Sequence, residues 1–480
     1  MLLTDPFDDD KLKEECGIFG IYGHADAAAM TALGLHALQH RGQEAVGVVS
    51  FDGQQFHQHR ALGLVGDNLN SGEVIARLPG RMAIGHVRYA TQGETVLRNV
   101  QPLFAHLEQG GFAVGHNGNL TNAIALRDRL TRRGSLFQST TDTEVIVHLI
   151  ATSQYGTLID RLIDALRQIE GAYSLIAVTE ESVIGLRDPL GVRPLVLGKT
   201  RDGAHILTSE SCALDIIDAA FVRDVQPGEI VVLDETGVHS LKPFPPTRRR
   251  FCIFEYIYFA RPDSKVEGHS VYEVRKRIGA ELARESPIAA DVVIPVPDSG
   301  NPAARGLARA AGLPQDDGFV KNRYVARTFI QPGQELRRHG VRLKFNPLPE
   351  VVEGKRLVVV DDSIVRGNTT RQIMQMLRHA GASEIHLRIS APPIKHPCHY
   401  GIDMPTREEM IAHRRTVPQI AAELGVDSLH YLSLEGVYEA IGGSRGEHCD
   451  ACFSGEYPLP GTESANGKHA LEVSLPLVKA

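Results

Sequence analysis

Short apolar runs rich in β-branched residues alternate with glycine-rich turns through the first half of the chain. Runs of this kind predict strands. Helical patterns separate some of them, and strands and helices arranged in this way predict an α+β domain of stacked sheets and helices. The predicted strands are Cys16–Tyr22, Ala45–Phe51, Ala83–His86, Ser174–Thr179 and Ile230–Leu233, and the predicted helices are Thr143–Thr152 and Leu158–Gln168.

The second half has a different pattern, because its apolar strands are continuous and each is followed by a helical segment. Asp291–Pro295 precedes the helical pattern Ala303–Ala311, and Arg356–Val360 precedes Thr369–His379; Glu384–Ile389 follows. Continuous apolar strands are typical of a parallel sheet covered on both faces. The sequence therefore predicts an α/β domain here.

A proline-rich and then basic stretch from Leu241 to Arg250 separates the two patterns. Proline blocks both helix and sheet, so we expect the domain boundary there. At the ends of the chain, residues 1–15 form an acidic leader that packs poorly, and residues 461–480 form a small, initially polar tail. Both termini are expected to lie outside the two domains.

Composition excludes several classes of protein. The net charge of −7 argues against a nucleic-acid-binding protein, which would carry a basic face. No apolar run approaches the ~20 residues needed to cross a bilayer, and residues 1–15 lack the features of a secretory signal. We therefore expect a cytoplasmic protein whose cysteines are reduced and available for catalysis or metal binding.

Cys16 stands directly behind the acidic leader, in the run Glu-Glu-Cys-Gly-Ile-Phe-Gly-Ile. If residues 1–15 are removed, its thiol and a free α-amine belong to one residue. An α-amine has a pKa near ~8, so it can act as the base for the neighbouring nucleophile. The alternative is a small, buried apolar residue.

Three further segments carry side chains suited to binding and hydrolysing an amide. Arg88 can grip a carboxylate through two hydrogen bonds, or form a surface salt bridge. Asn117 and Gly118, expected in a tight turn, offer the amide and backbone donors of an oxyanion hole, or an ordinary hairpin turn. Asp142, at a predicted helix start, can hold an ammonium group or cap the helix.

From Cys16 to about residue 240, these segments in this order resemble the class II glutamine amidotransferase domain. The resemblance implies a four-layer αββα sandwich and removal of the leader. It also implies that Cys16 attacks the side-chain amide of glutamine with its own amine as base. Arg88 would hold the substrate carboxylate, Asp142 its α-amino group, and Asn117 with Gly118 the oxyanion.

The most specific string runs from Arg356 to Thr370, where an apolar strand ends in two carboxylates before a loop of small residues and a helix. Backbone N–H groups at such a helix start can cradle a phosphate. Asp361 and Asp362 suit ribose hydroxyls or a hydrated divalent metal, although an aspartate pair at a strand end can also be a capping cluster. The glycine-lysine-serine or -threonine of a Walker loop is missing.

This string resembles the phosphoribosyl diphosphate (PRPP) signature of type I phosphoribosyltransferases. The resemblance makes Pro295–Gly300 the pyrophosphate loop, places Ser299 with Asp361 and Asp362 around Mg²⁺, and makes the basic stretch from Lys321 to about residue 347 a lid. The implied PRPP-binding residues are Asp298, Ser299, Lys321, Arg327, Asp361, Asp362, Ser363, Val365, Arg366, Gly367, Asn368 and Thr369. Ala326, where relatives commonly have glycine, and Asn301-Pro302 depart from the pattern.

Joined in this order over residues 16–457, the two halves resemble the amidophosphoribosyltransferase family. The resemblance implies synthesis of 5-phosphoribosylamine, glutamate and pyrophosphate from PRPP, glutamine and water, the first committed step of purine synthesis, with ammonia passed between the sites. It also implies inhibition by purine nucleotides and a homotetramer. The expected division is a propeptide (1–15), a glutamine amidotransferase domain (16–245), a phosphoribosyltransferase domain (246–460) and a tail (461–480).

Four cysteines form a possible metal-binding set, namely Cys252, Cys398, Cys449 and Cys452. Four thiolates can hold either zinc or a [4Fe–4S] cluster, and spacing does not separate the two. The family resemblance favours the cluster, with a structural role or a role as an oxygen-sensitive stability switch. Cys212 is left over and is interpreted as a buried apolar residue.

Two rival functions differ in the features that they require. Another amidotransferase, making glucosamine phosphate or asparagine, would carry an isomerase or adenylating domain in place of the Asp361–Thr370 string. A nucleotide-sensing regulator would have no need of a glutaminase half, and PRPP-dependent glutaminase activity would separate it from the enzyme.

Overall fold

The computed structural model describes residues 13–14, 16–89, 94–321, 345–459 and 471. Within these ranges, no helix is long and apolar enough to span a membrane. Most of the predicted lid, with Ala326 and Arg327, lies outside the described residues.

The N-terminal half contains two antiparallel sheets. Its strands are β1 (Lys13–Glu14), β2 (Gly17–Tyr22), β3 (Ala45–Phe51), β4 (Phe56–Leu62), β5 (Met82–Arg88), β6 (Leu103–Leu107), β7 (Gly110–Leu120), β8 (Gly171–Val178), β9 (Val183–Arg187), β10 (Val196–Lys199), β11 (His205–Thr208), β12 (Ala220–Asp224), β13 (Ile230–Asp234) and β14 (Gly237–Leu241). One sheet has the strand order β12-β10-β11-β2-β5-β3-β4, and the other has the order β14-β13-β9-β8-β7-β6.

Helices cover the outer faces of both sheets. They are α1 (Ala27–Ala37), α2 (Val65–Asn68), α3 (Gly72–Ala76), α4 (Ala123–Arg132), α5 (Thr143–Thr152), α6 (Leu158–Leu166) and α7 (Cys212–Asp215), with a 3₁₀ turn at Leu97–Asn99. One apolar core joins α1 to the seven-stranded sheet, a second joins α4, α5 and α6 to the six-stranded sheet, and a third lies between the sheets. The predicted four-layer αββα sandwich is therefore what the packing shows.

The sheets approach each other closely at Gly20. A Cβ atom there would lie 2.7 Å from Ile176 Cγ2 of the facing sheet, well inside van der Waals contact. Strand β3 is buried along its whole length, because it has the interior of the sandwich on one face and α1 on the other. These strands are continuous apolar runs for that reason, although the sheet is antiparallel.

The C-terminal half is built on a parallel sheet of order β18-β21-β22-β24. Its strands are β15 (Phe251–Cys252), β16 (Lys265–Val266), β17 (His269–Ser270), β18 (Val292–Pro295), β19 (Phe319–Lys321), β20 (Phe345–Pro347), β21 (Arg356–Asp361), β22 (Glu384–Ile389), β23 (Ile402–Asp403), β24 (Ser428–Tyr431) and β25 (His448–Cys449). The predicted parallel sheet is confirmed, with strand ends within one residue of those expected.

The helices of this half are α8 (Val271–Glu285), α9 (Asn301–Ala311), α10 (Pro349–Val352), α11 (Asn368–His379), α12 (Ile411–Arg414), α13 (Val417–Leu424), α14 (Leu434–Ile441) and α15 (Ala451–Ser454), with a π-helix at Glu255–Phe259 and 3₁₀ turns at Arg407–Glu409 and Arg445–Glu447. Helices α8 and α9 cross at Gly279 and Gly306. A Cβ atom at Gly279 would lie 1.8 Å from Ala303 O, so glycine is needed for the close approach.

A buried cluster of charges joins the two halves. The Glu255 carboxylate of the C-terminal half accepts hydrogen bonds from Arg41 Nη2 at 2.7 Å and lies 3.0 Å from Arg193 Nη2. Arg41 also pairs with Glu210, and all four side chains are fully buried. Two positive and two negative groups balance here, which buried charges require.

Candidate active sites

Cys16 is buried and directly precedes strand β2. Its Sγ lies 3.6 Å from the carbonyl oxygen of Tyr89, and its φ is 50°. In this chain its nitrogen is part of a peptide bond, so the free α-amine that the predicted mechanism requires is not yet present. Just before it, Lys13–Glu14 pairs with Ile402–Asp403 of the C-terminal half.

Asn117 and Gly118 lie inside strand β7, where they pair with Ser174 and Tyr173 of β8. The tight turn predicted for this dipeptide is therefore wrong, and so is the hairpin alternative. Gly118 has a φ of 146°, and a Cβ atom there would lie 2.0 Å from Ala172 O. The Asn-Gly dipeptide did indicate an unusual backbone conformation, but in a distorted strand and not in a turn. Gly118 must be glycine, since a side chain has no room in this conformation.

One hydroxyl connects Asn117 to the strand that follows Cys16. Ser209 Oγ accepts a hydrogen bond from Ile18 N at 3.0 Å and lies 3.5 Å from Asn117 Nδ2. The Oδ1 atom of Asn117 is buried and has no hydrogen-bond partner among the described residues. Ser209 thus links the predicted oxyanion donor Asn117 to strand β2, two residues after the predicted nucleophile.

Asp142 is buried beside the same end of β7. Its Oδ2 accepts a hydrogen bond from Leu120 N at 2.9 Å, and its Oδ1 lies 3.6 Å from His116 Nδ1. It accepts no hydrogen bond from the backbone N–H groups in the described first turn of α5, so the capping alternative is not supported. Burial alone would raise the pKa of Asp142, but His116, Leu120 N–H and Arg88 outweigh it and lower the pKa.

Arg88 ends strand β5 and is buried close enough to Asp142 to affect its pKa. A surface salt bridge was the alternative prediction for Arg88, and its burial excludes that alternative. The buried pair of opposite charges suits an amino acid, which carries a carboxylate and an ammonium group on one carbon.

No role was predicted for two histidines of this centre, His86 and His116. The His116 backbone N–H donates to Gln101 Oε1 at 2.8 Å, and His86 Nε2 lies 3.1 Å from His116 O. Burial, together with Arg88, lowers the pKa of His86 to about 3, so its ring is neutral at physiological pH. In the sequence, His86 lies two residues before Arg88 and His116 directly precedes Asn117, and this proximity was the available signal.

The predicted phosphate site lies where β21 ends. Asp362 N donates to Asp361 Oδ1 at 2.9 Å, and Ser363 Oγ donates to Asp362 Oδ1 at 2.5 Å. Gly367 has a φ of 86° and leads directly into α11. The predicted strand, loop and helix therefore form one continuous unit, with Asn368 and Thr369 at the helix start.

The predicted pyrophosphate loop lies beside this unit, because β18 and β21 are adjacent parallel strands. Val296 N donates to Val360 O at 2.8 Å, and Asp298 pairs with Lys321. Ser299 Oγ is buried without a hydrogen-bond partner among the described residues. A buried hydroxyl oxygen in this position is suited to a metal ion or a phosphate.

Two other members of the predicted set face the segment 407–411. Arg366 Nη2 donates to Glu409 Oε1 at 3.0 Å, and the carbonyl oxygen of Val365 accepts a hydrogen bond from Ile411 N at 2.9 Å. The structure therefore brings the predicted PRPP-binding residues to one edge of the sheet. Arg327 falls outside the described residues.

The four predicted metal-binding cysteines come from three separate segments that meet, because Cys449 and Cys452 belong to one of them. Cys252 and Cys449 are direct partners in the parallel pair β15 and β25, and Tyr400 N lies 3.3 Å from Cys398 Sγ. Burial raises the pKa of Cys252 to about 12, and burial with the nearby cysteines raises the pKa values of Cys449 and Cys452. Among the described residues, no group of His, Cys, Asp or Glu side chains is arranged to share a single metal ion.

Comparison with known proteins agrees with both halves of this description. A glutamine amidotransferase domain model matches residues 86–215, and a phosphoribosyl transferase domain model matches residues 267–400. The fold and the two sites define a glutamine amidotransferase fused to a phosphoribosyltransferase.

Relatives similar along the whole chain define the family. The amidophosphoribosyltransferase of Rhizobium etli is 53% identical over 465 residues, covering 95% of this chain and 94% of that protein. That of Bacillus subtilis is 49% identical over 452 residues, covering 93% and 94%. The chain belongs to the amidophosphoribosyltransferase family, so the predicted family, enzyme class and function in purine biosynthesis are confirmed.

Solved structures agree with this assignment. A structure of the allosteric regulatory enzyme of purine biosynthesis is 47% identical, covers 96% of this chain and all of its own, and has a TM-score of 0.91. The glutamine PRPP amidotransferase from B. subtilis complexed with ADP and GMP is also 47% identical, covers 95% of this chain and all of its own, and has a TM-score of 0.90.

Proposed function

We propose that Cys16 hydrolyses glutamine and that the liberated ammonia displaces pyrophosphate from PRPP at the edge of the parallel sheet. The observation that carries this proposal is the shared Ser209 hydroxyl, which holds Asn117 beside the strand that follows Cys16. Nucleophile and oxyanion donor must lie within a few ångströms for acyl transfer, and these two segments are 101 positions apart in the sequence.

In the first half-reaction, the Cys16 sulfur attacks the side-chain carbonyl carbon of glutamine. Asn117 and the backbone N–H of Gly118 donate to the oxygen that becomes negative. The α-amine takes the thiol proton and passes it to the leaving nitrogen, so the C–N bond breaks and ammonia departs. Water then hydrolyses the thioester, which gives glutamate and restores the thiol. Arg88 holds the substrate carboxylate and Asp142 its ammonium group, which is consistent with the lowered pKa of Asp142.

In the second half-reaction, ammonia attacks the ribose C1 and pyrophosphate leaves. The loop from Asp361 to Thr369 holds the phosphate and ribose, and Asp298, Ser299, Lys321 and Arg327 hold the pyrophosphate. Ser299, Asp361 and Asp362 suit Mg²⁺, because Ser299 Oγ is buried without a partner among the described residues. The ion, when bound, would neutralise charge on the leaving pyrophosphate.

We assign Cys252, Cys398, Cys449 and Cys452 to a [4Fe–4S] cluster. The thiols of Cys252, Cys449 and Cys452 are buried and that of Cys398 is half-buried, and the other three cysteines contribute to the raised pKa of Cys452. Four thiolates suit either a cluster or zinc, and the family resemblance favours the cluster. Its contribution would be structural, because the cysteines belong to neither proposed reaction centre.

The remaining parts of the proposal concern processing, regulation and assembly. Residues 1–15 act as a propeptide whose removal frees the amine of Cys16, so the precursor uses free ammonia and not glutamine. Purine nucleotides inhibit the enzyme, in line with the ADP and GMP bound by the B. subtilis relative. The active form is a cytoplasmic homotetramer with the domain boundaries expected from the sequence.

The decisive experiment replaces Cys16 with alanine in the processed enzyme and compares two nitrogen donors. Glutamine-dependent synthesis of phosphoribosylamine should disappear, while ammonia-dependent synthesis should persist. The matched control is Cys212→Ala, because Cys212 is also buried, in α7, but its thiol contacts Glu210 and has no role in the proposed reaction. Retention of glutamine-dependent activity by Cys16→Ala would refute the assignment of the nucleophile.

A first measurement on protein purified without oxygen is its intact mass and visible absorption. Loss of residues 1–15 together with a broad iron–sulfur absorption supports the processed, cluster-bearing enzyme. An uncleaved, colourless protein that contains zinc would contradict both assignments.

A further inference from the structure

The side chain of Asn119 joins two segments. One is the oxyanion strand, β7, which carries the proposed oxyanion donors Asn117 and Gly118, and the other carries Cys398, a proposed cluster ligand. Asn119 Nδ2 donates a hydrogen bond of 2.9 Å to His399 O, across 280 positions of sequence. Asn119 directly follows Gly118, and it directly precedes Leu120, whose N–H binds Asp142. Asn119 therefore lies between Gly118, a proposed oxyanion donor, and Leu120, whose N–H orients the proposed ammonium-binding carboxylate of Asp142.

The other end of this hydrogen bond is fixed by the neighbourhood of Cys398. His399 packs its ring against Tyr457, with ring centroids 4.8 Å apart, and Tyr457 donates to Pro397 O at 2.7 Å. Tyr400 N contacts Cys398 Sγ. The position of His399 O is thus set by a turn whose conformation depends on Cys398.

In the unprocessed chain, the same segment also contacts the leader. Ile402–Asp403, four and five residues after Cys398, form the strand that pairs with Lys13–Glu14 just before Cys16. This pairing is lost when residues 1–15 are removed, so in the processed enzyme the contact with Asn119 is the one that concerns the glutaminase centre. No other pairing of β1 occurs among the described strands.

We propose that Asn119 is a positioning residue through which the four-cysteine site holds the oxyanion strand of the glutaminase centre in its productive geometry. The inference rests on the proposed function of Cys16, Asn117 and Gly118. Oxyanion donors act at 2.7–3.1 Å from the developing charge, so a displacement of less than 1 Å already weakens them. Asn119 Oδ1 is buried without a partner among the described residues, so the Nδ2 group makes the hydrogen bond that fixes this side chain.

The variant that tests the proposal is Asn119→Asp, which keeps the shape of the side chain and removes its donor. The probe is glutamate γ-semialdehyde, whose carbonyl carbon bonds to the Cys16 sulfur while the aldehyde oxygen takes the thiol proton and occupies the oxyanion position. Glutamate is the comparison ligand, because it uses the same carboxylate and ammonium contacts without forming this tetrahedral centre.

We expect processed Asn119→Asp enzyme to bind the semialdehyde about tenfold to a hundredfold more weakly, a part of the ~10²–10³ assigned to one complete oxyanion donor. Affinity for glutamate, KM for glutamine and ammonia-dependent kcat should stay unchanged, while glutamine-dependent kcat should fall. The matched control is Asn122→Asp, because Asn122 Nδ2 also donates to a backbone carbonyl at 2.9 Å, but to Gln168 of the same half.

The dependence on the cysteine site is tested by removing its metal anaerobically with a chelator. Wild-type protein should then lose semialdehyde affinity, whereas Asn119→Asp should lose little more, since both changes break one connection. The proposal would be overturned if the losses of semialdehyde affinity from metal removal and from Asn119→Asp were additive. It would also be overturned if Asn119→Asp bound the semialdehyde as tightly as the wild type does. If wild-type enzyme binds no semialdehyde, the assignment of Cys16 itself fails, which separates the two proposals.

Discussion

The glutaminase centre and the phosphate-binding edge are assembled in opposite ways. The first collects buried side chains from β2, β5, β7 and the start of α5, and cross-strand contacts such as the Ser209 hydroxyl hold them. The second takes most of its residues from one continuous loop between β21 and α11. A centre assembled from many strands depends on packing far from the substrate, whereas a contiguous loop carries most of its geometry locally.

The charge cluster between the halves provides the largest test of this difference. Replacing Glu255 with glutamine leaves Arg41 and Arg193 buried with one anion, Glu210. Breaking a buried ion pair in this way costs about 3–5 kcal/mol. We expect urea unfolding of Glu255→Gln to show this loss and glutamine-dependent activity to fall more than ammonia-dependent activity.

The control for Glu255→Gln is Arg201→Ala, which breaks the exposed pair with Asp218. An exposed pair contributes about 0–1 kcal/mol, so unfolding of this variant should hardly change. Equal losses in the two variants would mean that the buried cluster does not stabilise the contact between the halves.

Gly118→Ala tests the glutaminase centre directly. The new Cβ would collide with Ala172 O at a φ of 146°, so the strand must shift and the oxyanion donor with it. We expect glutamine-dependent kcat to fall about 10²–10³-fold while ammonia-dependent kcat is kept.

Gly134→Ala is the matched control, because Gly134 also has a positive φ, of 97°, but has open space around its Cβ position. It should cost about 1 kcal/mol of stability from the backbone alone. Its glutamine-dependent activity should match that of the wild type, and a loss as large as that of Gly118→Ala would contradict the role given to the strand.

Asp361→Asn tests the phosphate-binding edge. Because ammonia and glutamine serve the same second half-reaction, both activities should fall together, by about 10–100-fold. In equilibrium binding measured without PRPP, the affinity of Asp361→Asn for glutamate γ-semialdehyde should equal that of the wild type. A selective loss of glutamine-dependent activity would show that the phosphate-binding edge and the glutaminase centre are coupled, although they are built from different elements.

The last test is the pH dependence of stability. His86 has a pKa of about 3 when folded and near 6.5 when unfolded, so the unfolded chain binds one more proton between these values. This group's contribution is complete above pH 6.5 and is lost as the pH falls, by about 1.4 kcal/mol per pH unit. Unfolding of His86→Gln between pH 6.5 and 4.5 should show a slope reduced by that amount, and an unchanged slope would exclude the buried neutral ring.

Much of the architecture followed from local pattern. Thr143–Thr152 and Glu384–Ile389 were predicted with the bounds that the structure has, because each depends on a local pattern: a helical period in the first and a strand buried over almost its whole length in the second. The error at Asn117–Gly118 has a physical cause. Glycine with a positive φ signals a turn in most contexts, but here it serves a distorted strand position whose neighbour Ala172 lies 54 positions away.

The sequence by itself determined the two-domain order, the family, the string that forms the phosphate loop and the candidate residues of both centres, because these signals are contiguous. Tertiary structure alone decided that Ser209 joins Asn117 to the nucleophile's strand, that His116 and Arg88 lower the pKa of Asp142, and that Asn119 reaches His399. Such contacts depend on distances between residues remote in the chain, which are set when apolar layers pack together and bury the polar groups between them.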